Sequence, residues 1–102
     1  MQCSVTTTDD EVNLAFSKRL IYSDTAGFSP LLDQIKTHAL SKCNVDLKEL
    51  EHIDSSGLRM LLLLHDVCRD IGAMLVFKTV SGQVHTMLMH SRFDTIVTIE
   101  NG

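Results

Sequence analysis

Apolar and polar positions recur along this chain with two different periods, which alternate from the N-terminus to the C-terminus. Residues Cys3 to Thr8 are rich in β-branched types and predict a first edge strand, followed by a turn at Asp9-Asp10. Val12, Leu14 and Phe16 then alternate with Asn13, Ala15 and Ser17, the period of a half-buried strand. Phe28, Leu31, Leu32, Ile35 and Ala39 shift to helical spacing and form one apolar face. Ser23-Asp24-Thr25 supplies N-caps for that first helix, with Asp24 read as a cap. Pro30 is tolerable only in a first turn, so regular helix is expected to begin close to Ser29.

A strand follows over Asn44 to Leu47, then a short acidic turn over Lys48 to Glu51. A strongly apolar helix runs from about Ser56 to Asp70, with Gly72 as its C-terminal stop. Met74 to Val80 reads as another strand, and Val84, Met87, Leu88 and Ser91 as a short third helix. Ile96 to Ile99 completes the series as a last strand. The order is two strands, helix, strand, helix, strand, helix, strand. It predicts an α/β domain: a mixed sheet of four to five strands with about three helices packed on it. With 102 residues, one proline and five glycines, the chain reads as a single domain over 1–102, without linker or repeat.

Composition narrows the function classes. The net charge is −4 and no basic tract occurs, which argues against nucleic acid as a partner. No apolar run approaches the roughly 20 residues that span a bilayer, and the start of the chain lacks the pattern of a signal peptide. Cys3, Cys43 and Cys68 form no Cys-x-x-Cys pair, so reduced thiols and a cytoplasmic location are expected. Cys68, inside an apolar helix, reads as a packing residue. His85 and His90 are five apart, the wrong spacing for one helical face, and His38, His52 and His65 are scattered, so neither a metal nor a cofactor is expected. Ser55 lacks a Gly-x-Ser-x-Gly elbow and Gly57 stands alone, outside any phosphate-binding glycine loop. No residue set supports an enzyme.

The segment Ile53-Asp54-Ser55-Ser56-Gly57-Leu58 concentrates the remaining chemistry. It sets two hydroxyls at the start of a helix, where free N–H groups and a partial positive charge suit an added phosphate. The same residues are also the ordinary choice for an N-cap. Local physics alone leaves cap and switch side by side.

The wider sequence resembles the STAS family, the anti-sigma-factor antagonists of bacteria and their relatives. The likeness rests on Val45-Asp46-Leu47, then Ile53 to Leu58 and the leucine-rich helix, then Asp70-Ile71-Gly72-Ala73-Met74-Leu75-Val76. It continues through Ser81-Gly82-Gln83-Val84 to Phe93-Asp94, and covers nearly the whole chain. Phe16-Ser17-Lys18-Arg19-Leu20 occupies the place of a strand end at which the family usually has glycine after the serine, where this chain has Lys18. The family usually adds a C-terminal helix, for which the residues up to Glu100-Asn101-Gly102 offer no counterpart.

The resemblance implies a phospho-switched binding protein. Its phosphorylated residue would be Ser55, with Ser56 as the alternative, and its partner-binding residues would be Asp24, Thr25, Asp54, Ser55, Ser56, Gly57, Leu58 and Arg59. The loop holding Asp24 and Thr25 is expected beside the serine loop. Implied partners are an anti-sigma factor or serine protein kinase and a serine phosphatase, either PP2C-type or linked to a response regulator. Ser55 is expected at or before the N-cap, pointing outward, with Asp54 and Asp46 close to it. A phosphate so placed would act on binding rather than on the fold. Leu58 and Met60 to Leu64 leave Arg59 as the lone charge in seven positions, which fits full burial between the sheet and flanking helices, a face exposed to a partner, or both, with burial toward the helix end and exposure near Leu58 and Arg59. The alternative implied within the same family is a structural subunit of a membrane-associated complex, such as a lipid-transport ATPase, without reversible phosphorylation.

Overall fold

The computed structural model describes residues 2–38 and 40–100; Ala39, together with Met1, Asn101 and Gly102, lies outside the described residues. Among the described residues five strands form one sheet: β1 (Gln2–Thr8), β2 (Glu11–Leu20), β3 (Lys42–Ile53), β4 (Met74–Lys78) and β5 (Thr98–Glu100). Their spatial order follows the sequence. β1 and β2 are antiparallel, from Gln2 opposite Ser17 to Thr8 opposite Glu11, and every later pair is parallel. Parallel neighbours need a crossover. Here α1 (Thr25–Lys36), α2 (Ser55–Ile71) and α3 (Gly82–His90) supply the three crossovers.

The mixed α/β architecture is thus as the periodicity predicts. Val12, Leu14 and Phe16 point into the core with Val45, Leu47 and Phe77, and meet Phe28, Leu31 and Ile35 of α1, Met60, Leu61 and Leu64 of α2, and Val84 and Leu88 of α3. Each such side chain contributes about 1.5–3 kcal/mol by leaving water. Phe16 stacks on Phe28 at 6.0 Å and Phe77 on Phe93 at 6.1 Å. Asn13, Asn44 and Val76, opposite one another across the strands, belong to the other face of the sheet. There Asn44 is buried and its Nδ2 donates to Glu11 Oε1 and Asn13 Oδ1.

Several boundaries differ from expectation. The acidic stretch Lys48 to Glu51 is strand, not turn, because β3 runs from Lys42 to Ile53. Two register shifts against β2 explain how it fits: Ala15 pairs with Asp46 but Ser17 with Glu49, and Lys18 pairs with Leu50 but Arg19 with His52. Each shift inserts one extra residue in β3, a bulge that breaks simple alternation and disguises the strand. Lys18 stands at the second shift with φ of 65°, in the left-handed region where glycine is least strained.

Helix α1 begins at Thr25, with Pro30 in its second turn rather than its first. The proline leaves the Ala26 carbonyl without its helical donor. Ala26 and Pro30 are both exposed, so water can serve that carbonyl, while buried Phe28, Leu31 and Ile35 hold the helix to the core. β4 ends at Lys78, before Thr79 with φ of 58°. α3 starts at Gly82, before Val84. β5 is shorter than expected: Phe93–Thr95 is a 3-10 turn, and the N–H groups of Ile96 and Val97 both donate to the Phe93 carbonyl. No helix among the described residues is long and apolar enough to cross a membrane.

Candidate functional site: two loops joined by an aspartate

β2 and β3 end side by side, Leu20 in register with Ile53 and neither exposed. The loops that leave them therefore emerge together. After Leu20 comes a 3-10 turn, Tyr22–Asp24, leading into α1; after Ile53 comes Asp54, the N-cap of α2. Asp54 serves both loops. Its Oδ1 accepts from the Gly57 N–H at 2.8 Å, capping α2, and its Oδ2 accepts from the Tyr22 N–H at 3.1 Å.

Gly57 is the steric condition for this arrangement. A Cβ there would overlap the Leu20 carbonyl oxygen and stand 3.1 Å from the Ile53 Cβ. The first turn of α2 thus presses on the ends of both strands, and only a residue without a side chain permits it.

Ser55 is the first residue of α2, one place further in than expected, because Asp54 takes the N-cap. Ser55 is nevertheless exposed, and Ser56 is half-buried. Arg59, one turn on from Ser55, is exposed and makes no hydrogen bond or ion pair among the described residues. Leu58 is half-buried. The apolar exposure lies further along than expected, at Leu62 (42% exposed) and Leu63 (39%), while Met60, Leu61, Leu64, Val67 and Cys68 are buried.

A groove of about 540 Å³ runs beside the helix, lined by Ser55, Ser56, Arg59, Leu62, Phe93 and Ile96 among others. A second, of about 440 Å³, continues along its C-terminal half past His65, Arg69 and Met74, sharing Ile96 with the first.

Asp24 holds the N-cap position of α1, as expected, but its side chain makes no cap hydrogen bond to that helix. Its Oδ2 accepts from the Ile21 N–H at 2.9 Å, closing the 3-10 turn backwards. Burial works to raise its pKa, but hydrogen bonds, that from Ile21 among them, and nearby positive charge, Arg19 included, hold the carboxyl below its ordinary value. Thr25 Oγ1 donates to the Tyr22 carbonyl at 2.7 Å. Asp46 is not near the serines. It precedes Asp54 by eight residues of extended strand, roughly 20–25 Å, and its Oδ1 accepts from the Lys48 N–H at the first bulge.

Two contributors have no signal in hydrophobic pattern. Tyr22 is 75% exposed beside the serine loop, an aromatic whose position only an adjacent-loop argument could single out. Gln83 on α3 grips Ile53 by both backbone groups: Oε1 accepts from the Ile53 N–H at 3.0 Å and Nε2 donates to the Ile53 carbonyl at 2.9 Å. It extends the strand pairing of β3 by one side chain just ahead of Asp54.

The thiols stand apart from this site. Cys43 and Cys68 are fully buried in the core. The contact with Cys68, and then burial, push the Cys43 thiol far up. Burial raises Cys3 to about 11, against a smaller opposing effect of the Ala15 backbone.

Comparison with known proteins agrees with this fold. The family model described as Mlab, STAS domain, matches residues 3–98. A search of the curated proteins found no match. Among solved structures, the chain is similar to one described as an anti-sigma factor antagonist from Thermotoga maritima, with a TM-score of 0.85 and 20% identity over 98% of this chain and 86% of that one. It is similar to a serine-to-glutamate variant of RsbS from Moorella thermoacetica, with a TM-score of 0.79 and 20% identity over 97% of this chain and 86% of that one. It is also similar to the anti-sigma factor antagonist SpoIIAA in its unphosphorylated form, with a TM-score of 0.71 and 13% identity over 96% and 86%.

Proposed function

Because this chain belongs to the STAS family, through the STAS domain described as Mlab, we propose that it is a protein-binding module switched by phosphorylation of Ser55. The observation that carries the reading is the position of Ser55: exposed, in the first turn of a 17-residue helix, beside a second loop held to it through Asp54. A kinase can reach the hydroxyl without unfolding anything. Ser56, half-buried, is the second candidate.

The physical effect of the phosphate is on recognition. It adds roughly −1.5 to −2 charge beside the Asp54 carboxylate, whose two oxygens already occupy the Gly57 and Tyr22 N–H groups. Repulsion from Asp54 is offset in part by the helix N-terminus. The phosphate stays at the surface, and the fold has no reason to change. A partner shaped around a neutral serine would instead meet a dianion, and leaving that charge unpaired in a contact costs several kcal/mol. About 4 kcal/mol is already a thousandfold in affinity.

In this reading Asp24, Thr25, Asp54, Ser55, Ser56, Leu58 and Arg59 form the partner surface, while Gly57, buried, sets its shape. The partner is an anti-sigma factor or serine protein kinase of the cytoplasm, a serine phosphatase reverses the modification, and the chain itself is substrate rather than enzyme. The test combines mass spectrometry of the protein from its own host, in growth and in stress, with binding of Ser55→Ala and Ser55→Asp to the partner that co-purifies. The reading expects a condition-dependent phosphate on Ser55, retained binding by Ser55→Ala and weakened binding by Ser55→Asp.

A second reading, a constitutive subunit of a membrane-associated complex such as a lipid-transport ATPase, draws on the Mlab description of the family match. An unmodified Ser55 under all conditions, with an ATPase co-purifying stably, would favour it.

A further inference from the structure

We propose that the outward stripe of α2 is a contact between two copies of this chain, with the two α2 helices antiparallel about a two-fold axis between Leu62 and Leu63. The stripe consists of Ser55, Arg59, Leu62, Leu63, Asp66, Arg69 and Asp70, at the three- and four-residue spacing of one helical face.

Two adjacent leucines, 42% and 39% exposed, sit at its centre. A helix of 17 residues presenting its apolar side chains outward at mid-length, and charged ones on either side, has the layout of a helix contact rather than of a solvated face.

Charge complementarity selects a second copy as the occupant. An isologous contact requires that a residue on one side of the axis meet its complement from the other side. Arg59 and Asp66 lie equally far from the midpoint between Leu62 and Leu63, on opposite sides of it, and are two helical turns apart on the same face. Antiparallel pairing about that midpoint sets Leu62 against Leu63 of the second copy, and Arg59 against Asp66 of the second copy, twice over. Arg59 has no hydrogen bond or ion pair among the described residues within its own chain. Asp66 is half-buried as a residue but its side chain is 44% exposed, with contacts of 3.4 Å to His65 and 3.8 Å to Arg69. The ends of the stripe match too while Ser55 is unmodified: Ser55 then falls opposite Asp70 of the second copy without a like-charge contact, and because the dimer and the partner complex of the proposed function share Ser55 and Arg59, the two exclude one another. The grooves of about 540 and 440 Å³ beside α2, with exposed Ile96 (44%) and Met74 (58%) on their walls, give the second helix apolar surface to settle against.

The experiment is sedimentation velocity over a concentration series, with circular dichroism to verify that each surface variant is folded. The protein is expected to associate reversibly to a dimer. Leu62→Glu should weaken association by on the order of tenfold or more, through one charge buried without a partner on each side of the axis. Arg59→Glu and Asp66→Arg should each weaken it, and the double variant, which rebuilds both pairs with their signs exchanged, should restore it. Leu62→Cys combined with Leu63→Cys should cross-link two copies through the introduced thiols under mild oxidation. A protein that stays monomeric at all concentrations overturns the proposal. So does a dimer indifferent to Leu62→Glu, or a double charge exchange that restores nothing. A monomer whose Leu62→Glu variant releases a different protein assigns the stripe to that protein, and overturns it as well.

Discussion

Asp54 accepts a hydrogen bond at 3.1 Å from the backbone N–H of Tyr22, a residue 32 positions earlier in the chain. The bond runs to backbone, so it holds the path of the first loop whatever side chain position 22 carries. The other oxygen of the same carboxylate caps α2. Asp54→Ala is therefore expected to destabilise the domain by about 1–3 kcal/mol, a lost cap plus an unpaired N–H, measured as a shift in the urea midpoint. Asp54→Asn keeps an acceptor for one of the two donors and should lose less. Equal stability of Asp54→Ala and the parent would show that the loops are held by something else.

Gly57→Ala tests the close approach of α2 to the strand ends. In an open helix this change would stabilise by up to about 1 kcal/mol. Here the added methyl meets the Leu20 carbonyl and the Ile53 Cβ, both part of the sheet rather than flexible side-chain ends. A net loss of about 2 kcal/mol is expected in thermal or chemical denaturation. A gain would mean that the first turn has room to move outward.

Lys18 holds a left-handed backbone conformation at φ of 65°. Such a conformation costs a non-glycine residue about 1–2 kcal/mol, while glycine carries its own entropic cost on folding. Lys18→Gly should come out stabilising by about 0.5–1 kcal/mol, and Lys18→Val destabilising by more than that. Reversal of that order, read from denaturation midpoints, would contradict the conformation.

Gln83→Leu removes both partners of Ile53 and leaves its N–H and carbonyl unpaired beside the site. The expected loss is about 1–3 kcal/mol. Faster hydrogen exchange at the Ile53 amide, ahead of the rest of β3, would mark the effect as local. Gln83→Glu retains the acceptor and should protect that amide in part.

Much of this was legible from pattern. Val12, Leu14 and Phe16 alternate cleanly because β2 faces the core on one side only, and Gly72 ends α2 at φ of 76° as a glycine stop does. The Asp-Ser-Ser-Gly segment announced a helix start because cap chemistry is local. The acidic end of β3 was hidden since two bulges destroy its period of two. Pro30 misplaced the start of α1 because its cost is met by solvent at Ala26, which local rules do not weigh. Asp24 is cap-like in type, yet its carboxylate turns back to Ile21. Gln83 left no trace in periodicity, since a single amide gripping a strand 30 residues earlier is a property of the assembled fold.

The two bulges of β3 also act as a ruler. β3 has 12 residues and β2 has 10, and the two extra residues are what bring Ile53 level with Leu20. The meeting of the two loops is thus encoded as a count of residues rather than as the identity of any one of them. Changing Lys48 or Glu51 to another exposed residue leaves that count intact. Removing either would draw Asp54 back by about 3.3 Å, one strand step, out of reach of the Tyr22 N–H. For this domain the sharper lesion at the site is a deletion in the strand that leads to it, three to six residues before Asp54.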